Sequence, residues 1–135
     1  MPALVLDASV ALSAVFPDER ETGATIESLL RNASALVPPI WPAEVLNGLH
    51  NGLRRGRIDR DSIRTAVGFL RGLPITVTEI PIAEYAEQVL PLAERHRLSV
   101  YDASYLHLAI ARRLALATLD RKVQAAARAE NVSLA

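Results

Sequence analysis

Apolar residues run along this chain in two alternating rhythms. Short continuous runs, Ala3–Asp7, Ala35–Val37, Ile75–Thr78 and Leu114–Thr118, end on acids, prolines or polar residues and have the length of strands buried on both faces. Between them lie longer stretches with helical spacing. Val10–Phe16 is a short helix closed by Pro17, and Arg20–Arg31 follows with Ile26, Leu29 and Leu30 inward. Trp41-Pro42-Ala43-Glu44 opens a helix with proline at a favoured early position; Val45, Leu46, Leu49 and Leu53 supply its apolar surface, and Arg55-Gly56 stops it.

Asp59–Gly72 is amphipathic, with Ile63, Val67 and Leu70 inward, and Ile82–Arg97 is a long helix that Pro91 should kink or divide. A helix starting near Tyr101 carries Tyr105, Leu106, Ala109 and Ile110 at a spacing that predicts one buried face, and Val123–Glu130 forms the last helix. Val132–Leu134 is long enough for an edge strand at most. Strands alternating with helices predict an α/β fold: a parallel sheet covered on both faces, in a single domain spanning residues 1–135.

Composition narrows the class. Half the residues are hydrophobic but only 4% are aromatic, so the core is built from Leu, Val, Ile and Ala. No apolar stretch reaches membrane-spanning length and no basic-then-apolar leader opens the chain, so a cytoplasmic protein is expected. The absence of cysteine excludes disulfides and thiolate metal sites. Fifteen basic and fifteen acidic residues cancel, so bulk charge does not point to nucleic acid. The distribution says more: Lys122 is the only lysine, and Arg54, Arg55, Arg57, Arg60 and Arg64 crowd one segment, either a solvated helix end or a patch for phosphate or carboxylate groups.

Four acids occupy strand-end or helix-start positions: Asp7 after the first strand, Glu44 and Asp102 in first turns of helices, and Asp120 after the fourth strand. Each has a plain structural reading. Ser99-x-x-Asp102 has the form of a capping box, and Asp7 and Asp120 suit helix N-caps. Together they face one edge of a parallel sheet, the edge where ligands bind. Four carboxylates without basic partners repel one another unless a hard divalent cation relieves them. Oxygen-only ligation selects Mg²⁺ or Mn²⁺ over Zn²⁺, with Ser9, Asn47 and Thr118 as neutral oxygens around one ion or two. Such a site suits phosphodiester hydrolysis. His50, His96 and His107 share no ligand spacing; His107, Tyr101 and Tyr105 suit packing better than metal ligation or base stacking, and Trp41 suits a hydrophobic staple.

Leu4-Val-Leu-Asp7-Ala-Ser9, Trp41-Pro-Ala-Glu44-Val-Leu-Asn47, Leu98-Ser-Val-Tyr-Asp102-Ala-Ser-Tyr-Leu and Leu116-Ala-Thr118-Leu-Asp120 resemble, in order and spacing, the signature blocks of PIN-domain ribonucleases, and among these the VapC toxins of toxin–antitoxin pairs. The resemblance implies a three-layer α/β/α sandwich with a short, mainly parallel sheet and Mg²⁺- or Mn²⁺-dependent endonuclease activity on RNA. It makes Asp7, Glu44, Asp102 and Asp120 the acidic quartet and Thr118 the hydroxyl that precedes the last acid. It further implies a homodimer, and a small antitoxin that covers the acidic cleft and assembles with the dimer into a hetero-oligomer.

Some family members carry a further acid shortly after the fourth; here Val123, Gln124 and Ala125 follow, which puts a second metal in doubt. Arg54, Arg55 and Arg57 are candidates for contact with the RNA backbone or the antitoxin, and Phe69–Leu73 is a candidate antitoxin surface. The competing expectations are a PIN nuclease of RNA processing, a catalytically silent PIN-like binding module, and a receiver-like signalling domain, whose required late-strand lysine Lys122 fits poorly.

Overall fold

A computed structural model describes residues 2–19 and 26–135. Four strands, β1 (Ala3–Leu6), β2 (Ser34–Val37), β3 (Ile75–Val77) and β4 (Ala115–Ala117), form one sheet in the order β3-β2-β1-β4. All three pairings are parallel, with Leu4 opposite both Ala35 and Ala115. The central strand β1 is buried from Leu4 to Leu6, which explains a run with no polar alternation. At one edge β3 is largely exposed. At the other, Leu116 N–H donates to the Ser133 carbonyl at 2.9 Å and Leu134 forms an isolated parallel bridge, the short edge element the sequence allowed.

Helices flank this sheet: α1 (Ala8–Val15), α2 (Trp41–Arg54), α3 (Arg60–Arg71), α4 (Leu90–His96), α5 (Val100–Arg112) and α6 (Arg121–Ala129). Of the expected helix Arg20–Arg31, residues 20–25 lie outside the described residues; 26–30 are helical, with Ile26 and Leu30 in the core. The division at Pro91 is real: Ile82–Glu84 is α-helical, Tyr85–Val89 widens to a π-helix, and α4 restarts with the proline in its first turn. A proline lacks the N–H that an i→i−4 bond needs, and the wider turn absorbs the mismatch.

Three expectations need correction. Helix α5 is not buried on one face: Ala103 through Ala109 are all buried, because the helix is packed between β1 and β4, the segment 85–96 and α6, while Ile110 emerges at 39% exposure. Leu46 is 46% exposed on the outer side of α2 rather than inward. Trp41 does not precede its helix but begins it, buried, with its indole N–H lacking a partner.

The approach of α1 to α2 is as close as glycine permits. A Cβ on Gly48 would lie 2.5 Å from Leu12 Cδ1, and one on Gly52 2.4 Å from Phe16 Cε1. This contact, one turn beyond Glu44, sets the distance between Glu44 and the end of β1.

Candidate active site

The strand order itself marks a site. The chain adds β2 and β3 on one side of β1, then crosses back to place β4 on the other. The carboxyl ends of β1 and β4 thus flank the point where winding reverses, and there the connections that leave the two strands diverge to open a crevice. Asp7 caps the end of β1, and its N–H donates to the Ala117 carbonyl at 2.9 Å, locking the two strand ends together. Asp120 follows β4 by three residues.

Asp7 is buried, with 6% of its surface exposed. Its Oδ2 accepts two hydroxyl donors, Ser9 Oγ at 2.7 Å and Thr118 Oγ1 at 2.7 Å. Each hydroxyl oxygen in turn accepts a backbone N–H from the loop after β4: Leu119 N–H to Ser9 at 3.1 Å and Asp120 N–H to Thr118 at 3.1 Å. With each hydroxyl hydrogen directed at Asp7, Oδ2 is fixed as an acceptor and the loop carrying Asp120 is registered against it. Asp120 completes the loop as the N-cap of α6, its Oδ1 accepting from Lys122 and Val123 N–H at 2.8 and 3.1 Å. Gln124 Nε2 donates to the Thr118 carbonyl at 2.9 Å.

Helices α2 and α5 bring the other two acids. Glu44 lies in the first turn of α2. Asp102 lies in the first turn of α5, where its N–H donates to the N-cap Ser99 Oγ at 3.0 Å. One turn further along α5, Tyr105 passes through the core and its hydroxyl donates to Glu44 Oε1 at 2.6 Å.

Electrostatics ties the four together. Burial pushes the Asp7 carboxyl up, against the hydrogen bonds from Ser9 and Thr118, and Asp120 adds repulsion. Burial also raises Glu44, opposed by the Tyr105 hydrogen bond and reinforced by Asp7 and Asp102. Asp102 is raised by burial and by the charges of Asp7 and Asp120, while Ser99 and Lys122 pull it down. The quartet therefore does have one basic neighbour, Lys122, which the balance of charges along the sequence did not reveal. Tyr105 is held strongly protonated, first by burial and then by Glu44.

Among the described residues no three carboxylates or histidines already stand in a metal-holding cluster. The donor set nonetheless fits a hard divalent cation. It is oxygen-only and converges on one crevice, and three of its acids are driven toward protonation by burial and by each other, a strain that a bound cation relieves.

The neighbouring residues divide. Ser9 and Thr118 join the cluster through Asp7, whereas Asn47 is exposed on α2 and makes no side-chain hydrogen bond to the acids. A groove of about 430 Å³ runs from Asp120 and Ser9 past Gly48 and Asn51 to Arg57. Arg57 is not spare: it pairs with Asp18 at 3.0 Å and Glu19 at 2.8 Å, and stacks 4.2 Å over the Phe16 ring. Arg54 and Arg55 are exposed and border a separate recess with Asn51. His107 is buried against Glu84 at 2.6 Å, and His96 pairs with Glu130 at 2.7 Å, so neither reaches the site. Lys122 lies in the first turn of α6 rather than at a strand end, which removes the receiver-like expectation. Tyr105 was legible as a packing residue, but its hydroxyl's place among the acids was not. The available signal is its position three residues after Asp102, on the same helical face.

The comparisons agree with this geometry. The PIN domain family matches residues 4–129. The ribonuclease VapC9 of Mycobacterium tuberculosis is 32% identical over 120 residues, covering 89% of this chain and 87% of that one. Among solved structures, PAE2754 from Pyrobaculum aerophilum superposes with a TM-score of 0.71 at 24% identity, over 93% of this chain and 84% of that one. VapBC2 from Rickettsia felis, solved bound to a DNA fragment from its promoter, gives a TM-score of 0.64 at 17% identity, over 98% and 97%. With its parallel four-stranded sheet, its acids at the β1/β4 crevice and a family match across nearly its whole length, the chain belongs to the PIN-domain family, in the VapC branch.

Proposed function

We propose that this protein is a metal-dependent endoribonuclease that hydrolyses RNA phosphodiester bonds as the toxin of a toxin–antitoxin pair. It acts as a single domain in the cytoplasm, as a homodimer that a small antitoxin restrains. The observation that carries the reading is the mutual repulsion of Asp7, Glu44 and Asp102, with Asp120 beside them, in one crevice. The similarity to VapC9, which is named a ribonuclease, supports the substrate class, and the likeness to VapBC2 supports the antitoxin.

Asp7 and Asp102 would hold Mg²⁺, or Mn²⁺ in its place, with Glu44 reaching it through a water and Asp120 completing the site. When bound, such an ion lowers the pKa of a water and neutralises charge on the phosphate. Asp7 stays an acceptor at Oδ2 because two hydroxyls donate to it there. Glu44, its affinity for a proton raised by burial and by its neighbours, accepts the proton of the attacking water at Oε2, while Tyr105 occupies Oε1. Cleavage leaves 5′-phosphate and 3′-hydroxyl ends. Where some family members carry a further acid, Val123, Gln124 and Ala125 follow here, and Gln124 is committed to the Thr118 carbonyl, which favours one ion over two. Arg54 and Arg55 are the exposed cations for RNA or the antitoxin.

The test is incubation of purified, antitoxin-free protein with total cellular RNA in Mg²⁺ or Mn²⁺, in EDTA, and with Asp7→Asn and Asp102→Asn alongside. Metal-dependent cleavage lost in both variants is the expected result. Cleavage that survives either substitution, or that persists in EDTA, overturns the assignment.

A further inference from the structure

Resting on that assignment of Glu44 as a site acid, we propose that Tyr105 is a positioning residue whose hydroxyl holds Glu44 Oε1 so that Oε2 alone is offered to the site. The starting observation is a conflict. Glu44 is half-buried on the first turn of α2, where Pro42 and Ala43 face solvent, and Asp7 and Asp102 repel it. A glutamate has three rotatable bonds, and left to itself this one would swing outward, away from two like charges and into water. The hydrogen bond from Tyr105, at 2.6 Å, opposes that motion.

Tyr105 is well built for the task. Its ring is 1% exposed and locked in the core, and it sits on the same helix as Asp102, one turn further in. Fixing Glu44 to Tyr105 therefore fixes it to the element that carries Asp102. The phenol has one hydrogen to give and spends it on this contact, so Glu44 Oε1 is the acceptor. Of the residues surrounding Glu44, Tyr105 alone supplies it with a side-chain donor among the described residues. The same contact joins α2 to α5. Glu44 then enters the site with one oxygen and in one rotamer, and the cost of ordering it is met in folding rather than at each binding event.

The experiment is a double-mutant cycle on the full chain, read by calorimetric titration with Mn²⁺ and by RNA cleavage. The proteins are the natural chain, Tyr105→Phe, Glu44→Ala and the double variant, with thermal denaturation recorded for each. Tyr105→Phe is expected to weaken Mn²⁺ binding about tenfold, the scale of a hydrogen bond to a charged group. It should lower kcat with KM for RNA unchanged, and it should have no further effect on Mn²⁺ binding once Glu44 is alanine. Tyr105→Met, which also lacks the donor and fills the core with a more adaptable side chain, should weaken Mn²⁺ binding similarly, and it stands in for Tyr105→Phe if that variant does not fold.

Unchanged Mn²⁺ affinity in Tyr105→Phe overturns the proposal, as does an equal loss in the Glu44→Ala background, which would mark Tyr105 as structural only. If the natural chain binds Mn²⁺ and cuts no RNA, the cycle still reads out on Mn²⁺ affinity. The nuclease reading then falls while the positioning role is judged separately.

Discussion

Thr118 donates its hydroxyl to Asp7 Oδ2 at 2.7 Å across 111 residues of sequence, joining the carboxyl ends of β1 and β4. The same oxygen accepts the Asp120 N–H, so one side chain fixes both the buried acid and the loop bearing the fourth acid. Thr118→Val keeps the shape and removes both roles. It leaves Asp7 with a single side-chain donor and the Asp120 N–H without its acceptor. A loss of about 1–3 kcal/mol in folding stability is expected, measured by urea denaturation, while Thr118→Ser stays close to the natural protein.

The acids of the crevice make stability fall with rising pH in metal-free protein. Asp7, Glu44 and Asp102 all have carboxyls raised above their ordinary values, so the folded state binds protons more tightly than the unfolded chain does. Their favourable contribution is complete below the ordinary carboxylate value, 3.8 for Asp7, and is lost as pH climbs through the raised folded values. Asp18, Asp59 and Glu130 work in the opposite sense: hydrogen bonds lower their carboxyls, so they stabilise at neutral pH and that contribution fades on acidification. Asp7→Asn removes one raised group, so its melting temperature in EDTA should decline less from about pH 4 to pH 8 than that of the natural chain. Added Mn²⁺ should restore the natural chain at pH 8 far more than it restores Asp7→Asn. Parallel melting curves in EDTA would refute the sign.

Exposed arginines should divide by their commitments. Arg57 is held by Asp18, Glu19 and the Phe16 ring, whereas Arg54 and Arg55 point into an open recess. Charge reversal at Arg54 and Arg55 together should weaken RNA binding to an inactive Asp7→Asn protein and flatten its salt dependence, as expected for lost phosphate contacts. Arg57→Ala should leave RNA affinity nearly unchanged. Its ion pairs are exposed, so its stability cost should be small. Filter binding across a salt series checks both, and a large affinity loss in Arg57→Ala would reverse the assignment.

These relationships divide what sequence can and cannot carry. The parallel sheet was legible because β1 and β2 are short apolar runs bounded by punctuation, and the acids because each sits at a strand end or helix start. Capping was legible for the same local reason at Ser99 and Asp120, which accept first-turn N–H groups, whereas the Asp7 side chain makes no cap bond to α1. The packing of α5 was not. Periodicity predicts one apolar face, but a helix surrounded on several sides buries Ser104 and His107 as well; Ser104 returns its hydroxyl to the Tyr101 carbonyl one turn back, while His107 is met by Glu84, a partner that only the fold supplies. Arg57 read as part of a basic patch because the acids that bind it lie 38 and 39 residues away. Lys122 did not read as a partner of the acids because Asp102, the one it steadies, sits on another helix. Pairings set by chain return leave no local trace.

The seam between α1 and α2 yields the last prediction. Gly48 and Gly52, one turn apart on α2, face Leu12 and Phe16, one turn apart on α1. Phe16 is pinned from its other side by Arg57, so it has less freedom to retreat than the end of the Leu12 side chain has. Gly52→Ala should therefore cost more than Gly48→Ala, each through overpacking on the order of 1–3 kcal/mol. Gly68, in the interior of α3, meets nothing within 4 Å, and Gly68→Ala should stabilise by roughly 0.5–1 kcal/mol through helix propensity and a less flexible unfolded chain. Chemical denaturation of the three variants orders them as Gly68→Ala, natural, Gly48→Ala, Gly52→Ala from most to least stable. Because the seam sets the depth of Glu44, Gly52→Ala should also lower Mn²⁺ affinity, an effect absent from Gly68→Ala. Equal stabilities at positions 48, 52 and 68 would mean that α1 and α2 part easily and that their contact does not fix the site.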